Sequence, residues 1–311
     1  MSYEMRYKSL ILKCILMPIA AMQADVTDIK FTTGYRKDKG TGMLNLTSGD
    51  GAYANEKSIV RETFAFDGIS IYQLGGKAIA TVAGCATRAS INYGWVHTGK
   101  STENFILNDA TVYDYRGSIR KGSTRDINIG AVWFWMNNSF CQFGPSGGYA
   151  KSQQTIGLRR NNTNKNKAGD DKTSVASEQQ MQNYKNKWQG PYVGGDAFVT
   201  IGDFTLKGGY EYHWAHWKAT STYFGALGDS GVQGKGESKH ARGRVYFLDV
   251  GWNLWQCYTL GGGVKWQQWS APVGKISKLQ KLASILKPAK KNAKAIKWNS
   301  LVVSVDIGYV F

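Results

Sequence analysis

The chain has 311 residues, room for one large domain or two ordinary ones, and its mean hydropathy of −0.37 is that of a water-soluble protein. Its formal charge of +17 draws polyanions, and beyond the N-terminus no apolar run reaches the roughly 18 residues of a helical membrane span, which excludes that class. Aromatic residues at 13%, 37 glycines and only 5 prolines fit a strand-rich chain, and lipid-facing positions alternating with lumen-facing ones would leave the same low hydropathy.

The N-terminal MSYEMRYKSLILKCILMPIAAMQA reads as a secretory leader over residues 1–24, with Arg6, Lys8 and Lys13 around an apolar stretch that ends in small residues. Met22 is larger than a leader peptidase prefers near the cut, and the charged Lys13 beside Cys14 does not suit a lipid attachment site. Residues 25–311 are then a single domain. Its first strand is DIKFTTGYR, which puts Ile29, Phe31, Thr33 and Tyr35 on one face and Asp28, Lys30, Thr32 and Arg36 on the other. Residues 38–67 lose that period and gain Gly, Asn and Ser, which predicts a long loop.

Alternation returns over 69–82, with Tyr72 and Leu74 opposite Gln73 and Lys77. A short turn at Ala83-Gly84-Cys85 leads into a third strand over 87–97, where Ile91, Tyr93 and Trp95 face out and Arg88 faces in. Residues 98–124 read as a polar loop. A fourth strand over 126–136 turns Ile127, Ile129, Trp133 and Trp135 outward and Asp126 inward, and a weaker fifth covers 142–158. Residues 160–187, rich in Asn, Lys and Gln, read as another loop.

Strand six, 188–201, carries Asp196 and turns at Gly202-Asp203. Strand seven, 204–220, sets Leu206, Tyr210, Tyr212 and Trp214 against Lys207, Glu211 and His213. After a Gly-rich loop over 225–241, strand eight faces Tyr246, Leu248, Val250 and Trp252 out and Asp249 in. Strand nine opens at Tyr258 and sets Leu260, Val264 and Trp266 against Lys265 and Gln267. A last loop over 271–297 precedes LVVSVDIGYVF, whose Leu301, Val303, Val305, Ile307, Tyr309 and Phe311 share one face while Asp306 takes the other.

Ten strands, with short turns alternating with five long loops, predict an all-β fold: a ten-stranded antiparallel transmembrane β-barrel. Tilted strands of about 9 to 11 residues cross a bilayer, and only a closed sheet leaves no edge in lipid. Short turns are periplasmic in such barrels, which puts Cys85, Cys141 and Cys257 on the periplasmic rim. Three thiols in an oxidising compartment predict a free thiol or disulfide-linked neighbours. Trp188, Trp214, Trp252, Trp266 and Tyr309 are expected at the membrane borders.

GYRKDKG (34–40), INYGWVHTG (91–99), WQGPYVGGDAF (188–198), YEYHWAHWKATSTY (210–223) and the closing IGYVF resemble the Protochlamydia-type outer-membrane protein family. The resemblance implies an abundant barrel of the cell outer membrane, with porin activity attributed to some relatives. A final strand ending in Tyr309 and Phe311 resembles the C-terminal signal read by the barrel-assembly machinery. The ten-strand plan is also similar to the omptin proteases, which implies carboxylates beside an Asp–His pair at the extracellular mouth. Here strand three runs on from His97 to Glu103 without a pair of aspartates, and HWAH offers His213 and His216 with Glu211 nearby but no Asp-x-His. His213 and His216 fall on opposite faces of a strand and do not make a metal site. The sequence points to no enzyme and to no cofactor.

Lys30, Arg36, Lys77, Arg88, Lys207 and Lys265 are expected to pair across the lumen with Asp126, Asp196, Glu211, Asp249 and Asp306, with His213 beside them, because unpaired charge in so narrow a barrel is costly. The last loop holds Lys275, Lys278, Lys281, Lys287, Lys290, Lys291, Lys294 and Lys297 without an acidic residue. Ile276, Leu279, Leu282, Ile285 and Leu286 recur at helical spacing before Pro288, which predicts a short amphipathic helix drawing phosphates of lipopolysaccharide or of solutes. Outer-membrane lipid and lipopolysaccharide, rather than nucleic acid, are the polyanions an exported barrel meets. The expected function is a porin-like channel for small hydrophilic, preferentially anionic solutes; the alternatives are a non-conducting structural or adhesin barrel and an omptin-like hydrolase.

Overall fold

A computed structural model describes residues 26–48, 59–82, 84–107, 110–160, 180–223, 233–255, 257–272, 275–277 and 288–311. The leader read over residues 1–24 lies outside them. Ten long strands follow in order: β1 (Val26–Ser48), β2 (Ile59–Val82), β3 (Cys85–Leu107), β4 (Ala110–Trp133), β5 (Cys141–Arg160), β6 (Gln180–Ile201), β7 (Phe204–Tyr223), β8 (Gln233–Leu254), β9 (Tyr258–Ala271) and β10 (Pro288–Val310). Each pairs antiparallel with its neighbours in sequence, and β10 returns to β1 from Val310↔Asp28 to Pro288↔Ser48, so the sheet closes. Met136–Asn137 pairs with the start of β5, and Lys275–Ser277 pairs with β8 at Lys235 to Glu237.

The lower half of this cylinder follows the alternation read from the sequence. Phe31, Trp133 and Ile307 are 77%, 66% and 61% exposed, values that belong to a wall facing oil rather than water. Two-residue turns join β2 to β3 and β6 to β7 at that end: Gly84 and Gly202 take φ of 80° and 57°, a left-handed backbone that a Cβ resists.

Above the apolar belt the expected loops are largely strand. β1 continues to Ser48 and β2 begins at Ile59, so 38–67 is not one loop. β3 and β4 run on to Leu107 and from Ala110, which turns 98–124 into a hairpin. β6 starts at Gln180 and β8 at Gln233, inside segments expected to be loop. Lys290, Lys291, Lys294 and Lys297 lie on β10, and Lys275 and Ile276 lie in a three-residue strand where a helix was expected; Lys278, Lys281 and Lys287 fall outside the described residues. Beyond the bilayer the outward face meets water, so the apolar period ends while the hydrogen-bonded ladder goes on.

Register shifts at Asp38/Gly40, Asp67/Ser70, Ile119/Lys121 and Ala215/Trp217 bend the wall where it leaves the belt. Here the interior is filled by rings seated on glycines: Trp298 lies across from Gly40, Trp269 from Gly243 and Phe64 from Gly42, each where a Cβ would collide with the ring. Gly243→Val is therefore expected to push Trp269 off its seat and lower stability by about 1–3 kcal/mol, read as a shifted denaturant midpoint in lipid vesicles. An unshifted midpoint would show that the slot is loose.

Candidate functional site

The lumen is layered. Nearest the short turns, Ala86, Val132 and Phe134 are buried, with Ile79 and Phe198 packed against them. The next layers are charged. Lys77 on β2 reaches Asp306 of β10 at 2.9 Å and Asp249 of β8 at 3.3 Å, and Lys30 sits 3.1 Å from Asp28. Arg88 on β3 spans the barrel, donating to Asp196 of β6, to Glu211 of β7 at 2.6 Å and to the Tyr192 hydroxyl at 3.2 Å. Tyr192 in turn donates to Asn128 at 3.0 Å, and His213 Nε2 lies 3.0 Å from Glu211. Lys207 approaches Asp196 at 4.0 Å with its ammonium over the Phe198 ring at 4.9 Å.

Between these groups lies a cavity of about 120 Å³, lined among others by Lys77, Arg88, Lys207, Glu211, Asp249 and Lys265. Lys265 faces it without an ion pair among the described residues. A space this polar and roomy accommodates several waters.

One level higher, Arg36 is 0% exposed and spends its fork on three partners: Asp38 at 2.7 Å, Asp126 at 2.6 Å and Ser300 at 3.0 Å. Ser152 donates to Asp126 at 2.6 Å and Gln154 to Asp38 at 3.0 Å. Asn186 donates to Gln154 at 3.2 Å and accepts the Trp217 indole N–H at 2.6 Å, while Trp298 donates to Asp38 at 3.3 Å. The charged floor thus hydrogen-bonds directly to the aromatic ceiling.

That ceiling is a buried cluster contributed by nearly every strand: Phe66, Ile69, Ile71, Val96, Ile119, Ile156, Leu158, Tyr184, Trp188, Trp217, Trp269, Ile296 and Trp298. Trp188 is 0% exposed and stacks on Trp269 at 5.7 Å, so its expected place in a membrane girdle is corrected to the lumen. Trp214, Trp252, Trp266 and Tyr309 do face outward. Burial pushes the Tyr184 phenol well above its usual range. His213 meets Tyr192 and Trp269 edgewise or tilted at 5.0 Å each, which places the Glu211–His213 pair beneath the ceiling.

All twelve lumen residues expected from the alternation lie on the inward face, and the network joins most of them. Asp38, Tyr192 and the four buried tryptophans were not expected there. Cys85, Cys141 and Cys257 sit at the short-turn end, each partly exposed and free. Tyr309 and Phe311 meet edge to face at 4.9 Å on the outside.

The profile of the Protochlamydia outer membrane protein family matches residues 30–311. The chain belongs to that family. It is accordingly a barrel of the outer membrane, with its short turns toward the periplasm. No curated protein matches the sequence. Among solved structures, the outer membrane protease OmpT from Escherichia coli is similar over 93% of this chain and 98% of its own, with a TM-score of 0.65 at 12% identity. That likeness is one of fold. The transport unit of the autotransporter AIDA-I from Escherichia coli (TM-score 0.36, 12% identity, 94% and 92% covered) and OprG from Pseudomonas aeruginosa (0.30, 14%, 91% and 95%) are far looser matches.

Proposed function

We propose that this family member is a closed outer-membrane barrel with a structural or surface-presenting role, its strands raising a stiff wall above the outer leaflet. The buried aromatic ceiling carries this reading. Solute passage requires water along the whole lumen, and indole rings packed at near-zero exposure leave no room for it. Among the described residues the same ceiling lies over the Glu211–His213 pair, which weighs against an omptin-like use of that pair. Planar-bilayer recording of the refolded chain tests the proposal: the expected trace is flat.

The lysine-lined cavity favours a second reading, a porin-like channel for small hydrophilic solutes whose ceiling moves aside. Steady conductance steps from the wild-type chain would establish it. The lumen itself does not supply anion preference: Lys30, Arg36, Lys77, Arg88, Lys207 and Lys265 face Asp28, Asp38, Asp126, Asp196, Glu211, Asp249 and Asp306, one carboxylate in excess among the described residues. Reversal potentials under a salt gradient would measure the preference directly.

The rim thiols fit a structural role through disulfide links to neighbouring proteins. Burial pushes the Cys85 thiol up, so its thiolate is scarce and its exchange slow. Non-reducing gels of native membranes are expected to show reducible higher species; monomer alone would remove this part of the reading.

A further inference from the structure

The outer wall carries bases that the lumen does not use. On β6 the outward positions Lys185, Lys187 and Gln189 neighbour Thr155, Gln153 and Lys151 on β5, and Thr220, Lys218 and His216 on β7. Four lysines therefore share a patch three strands wide. Lys151, Lys185 and Lys187 have no ion pair among the described residues. The described carboxylate at this patch is Glu237 on β8, which lies 2.5 Å from His216 Nε2 and 3.7 Å from Lys218 Nζ. Partial burial and the field of Lys151, Lys218 and Lys185 hold the Lys187 ammonium below the usual lysine range. Like charges facing one another across strands cost stability unless an anion joins them.

The patch sits on the border of the lipid-facing wall. Two residues below Lys151 on β5 is Tyr149, 48% exposed, and two below His216 on β7 is Trp214, 52% exposed. At about 3.4 Å per residue along a strand tilted about 45°, Lys151 stands roughly 5 Å above that aromatic row, the level of lipid headgroups. One ligand with phosphates above and acyl chains below would touch both surfaces, whereas free phosphate would use only the upper one.

We propose that Lys151, Lys185, Lys187 and Lys218 bind the phosphates of a phosphorylated glycolipid of the outer leaflet, whose acyl chains lie along Tyr149, Val193 and Trp214. Gln153 and Gln189, interleaved with the lysines, supply amide groups for sugar hydroxyls. The site differs from the lysines of the last loop and is independent of whether the lumen conducts.

The full chain in detergent is titrated with a bis-phosphorylated glycolipid of the lipid A type, its dephosphorylated counterpart and inorganic phosphate, with binding read by native mass spectrometry and thermal unfolding. The phosphorylated glycolipid is expected to bind and raise the midpoint. The triple variant K151A/K187A/K218A is expected to lose about tenfold or more in affinity. Its own midpoint without glycolipid is expected to hold or rise, because repulsion has been relieved. K37A/K39A/K100A, which removes exposed bases from other strands, is expected to bind normally. Equal binding of the dephosphorylated glycolipid, equal protection by inorganic phosphate, or equal loss in the control triple would each overturn the proposal.

Discussion

Arg36→Ala is expected to lower the unfolding free energy in lipid vesicles by about 3–5 kcal/mol, the cost of leaving buried carboxylates without their base. Asp38 and Asp126, 1% and 8% exposed in the wild-type chain, would lose the guanidinium that pairs with both, and its volume would be empty. The effect is expected to reach the ceiling, since Asp38 also accepts from Gln154 and Trp298. Arg36→Lys keeps the charge but loses the planar fork that serves three acceptors, so it is expected to fall between wild type and alanine. The triple change Arg36→Met, Asp38→Asn and Asp126→Asn removes the stranded charges together and is expected to recover much of the loss. A drop below about 1 kcal/mol for Arg36→Ala would mean that water reaches the carboxylates and that this layer is wet.

The half of the barrel in lipid was legible because oil dictates one face. Ile29, Phe31, Thr33 and Tyr35 must be outward, which forces Lys30 and Arg36 inward, and the same constraint placed Arg88, Asp196 and Glu211. Above the membrane no such constraint acts on the outward face. Lys37, Lys39 and Thr41 on β1 are exposed to water, while Asp38, Gly40 and Gly42 between them are buried, and no apolar period marks the strand. Asp38 was lost with that stretch, and with it the centre of the Arg36 network. Trp188 was misplaced at the membrane border, and the other three inward tryptophans were not assigned. Trp188 shares parity with Tyr192 and Asp196, Trp217 with His213, Trp269 with Gln267, and Trp298 with Ser300, so the parity of its own strand turns each inward. Trp188, the first residue of its expected strand, looked like an anchor because it stood at the expected membrane border.

Removing the ceiling is the stronger test of what the lumen does. In Trp188→Ala/Trp269→Ala the stacked pair above His213 is gone, and the cavity beside Glu211 and Lys265 gains a path upward through the space the rings filled. Each tryptophan lost from a packed interior costs about 3–5 kcal/mol, so the variant is first checked for the compact gel migration of a folded barrel, with Trp269→Ala alone as the milder form. A folded double variant is expected to carry steady current across a planar bilayer where wild type carries none. Its reversal potential under a salt gradient is expected to lie near zero or lean toward cations, because among the described residues the lumen holds one more carboxylate than base. A strong lean toward anions would instead place the selecting charges on the basic outer wall rather than inside. If the folded variant stays silent, the barrier lies lower, at Phe134 and Phe198, whose rings meet edge to face at 5.4 Å above the periplasmic turns. The ceiling would then be a brace for the wall and not its seal.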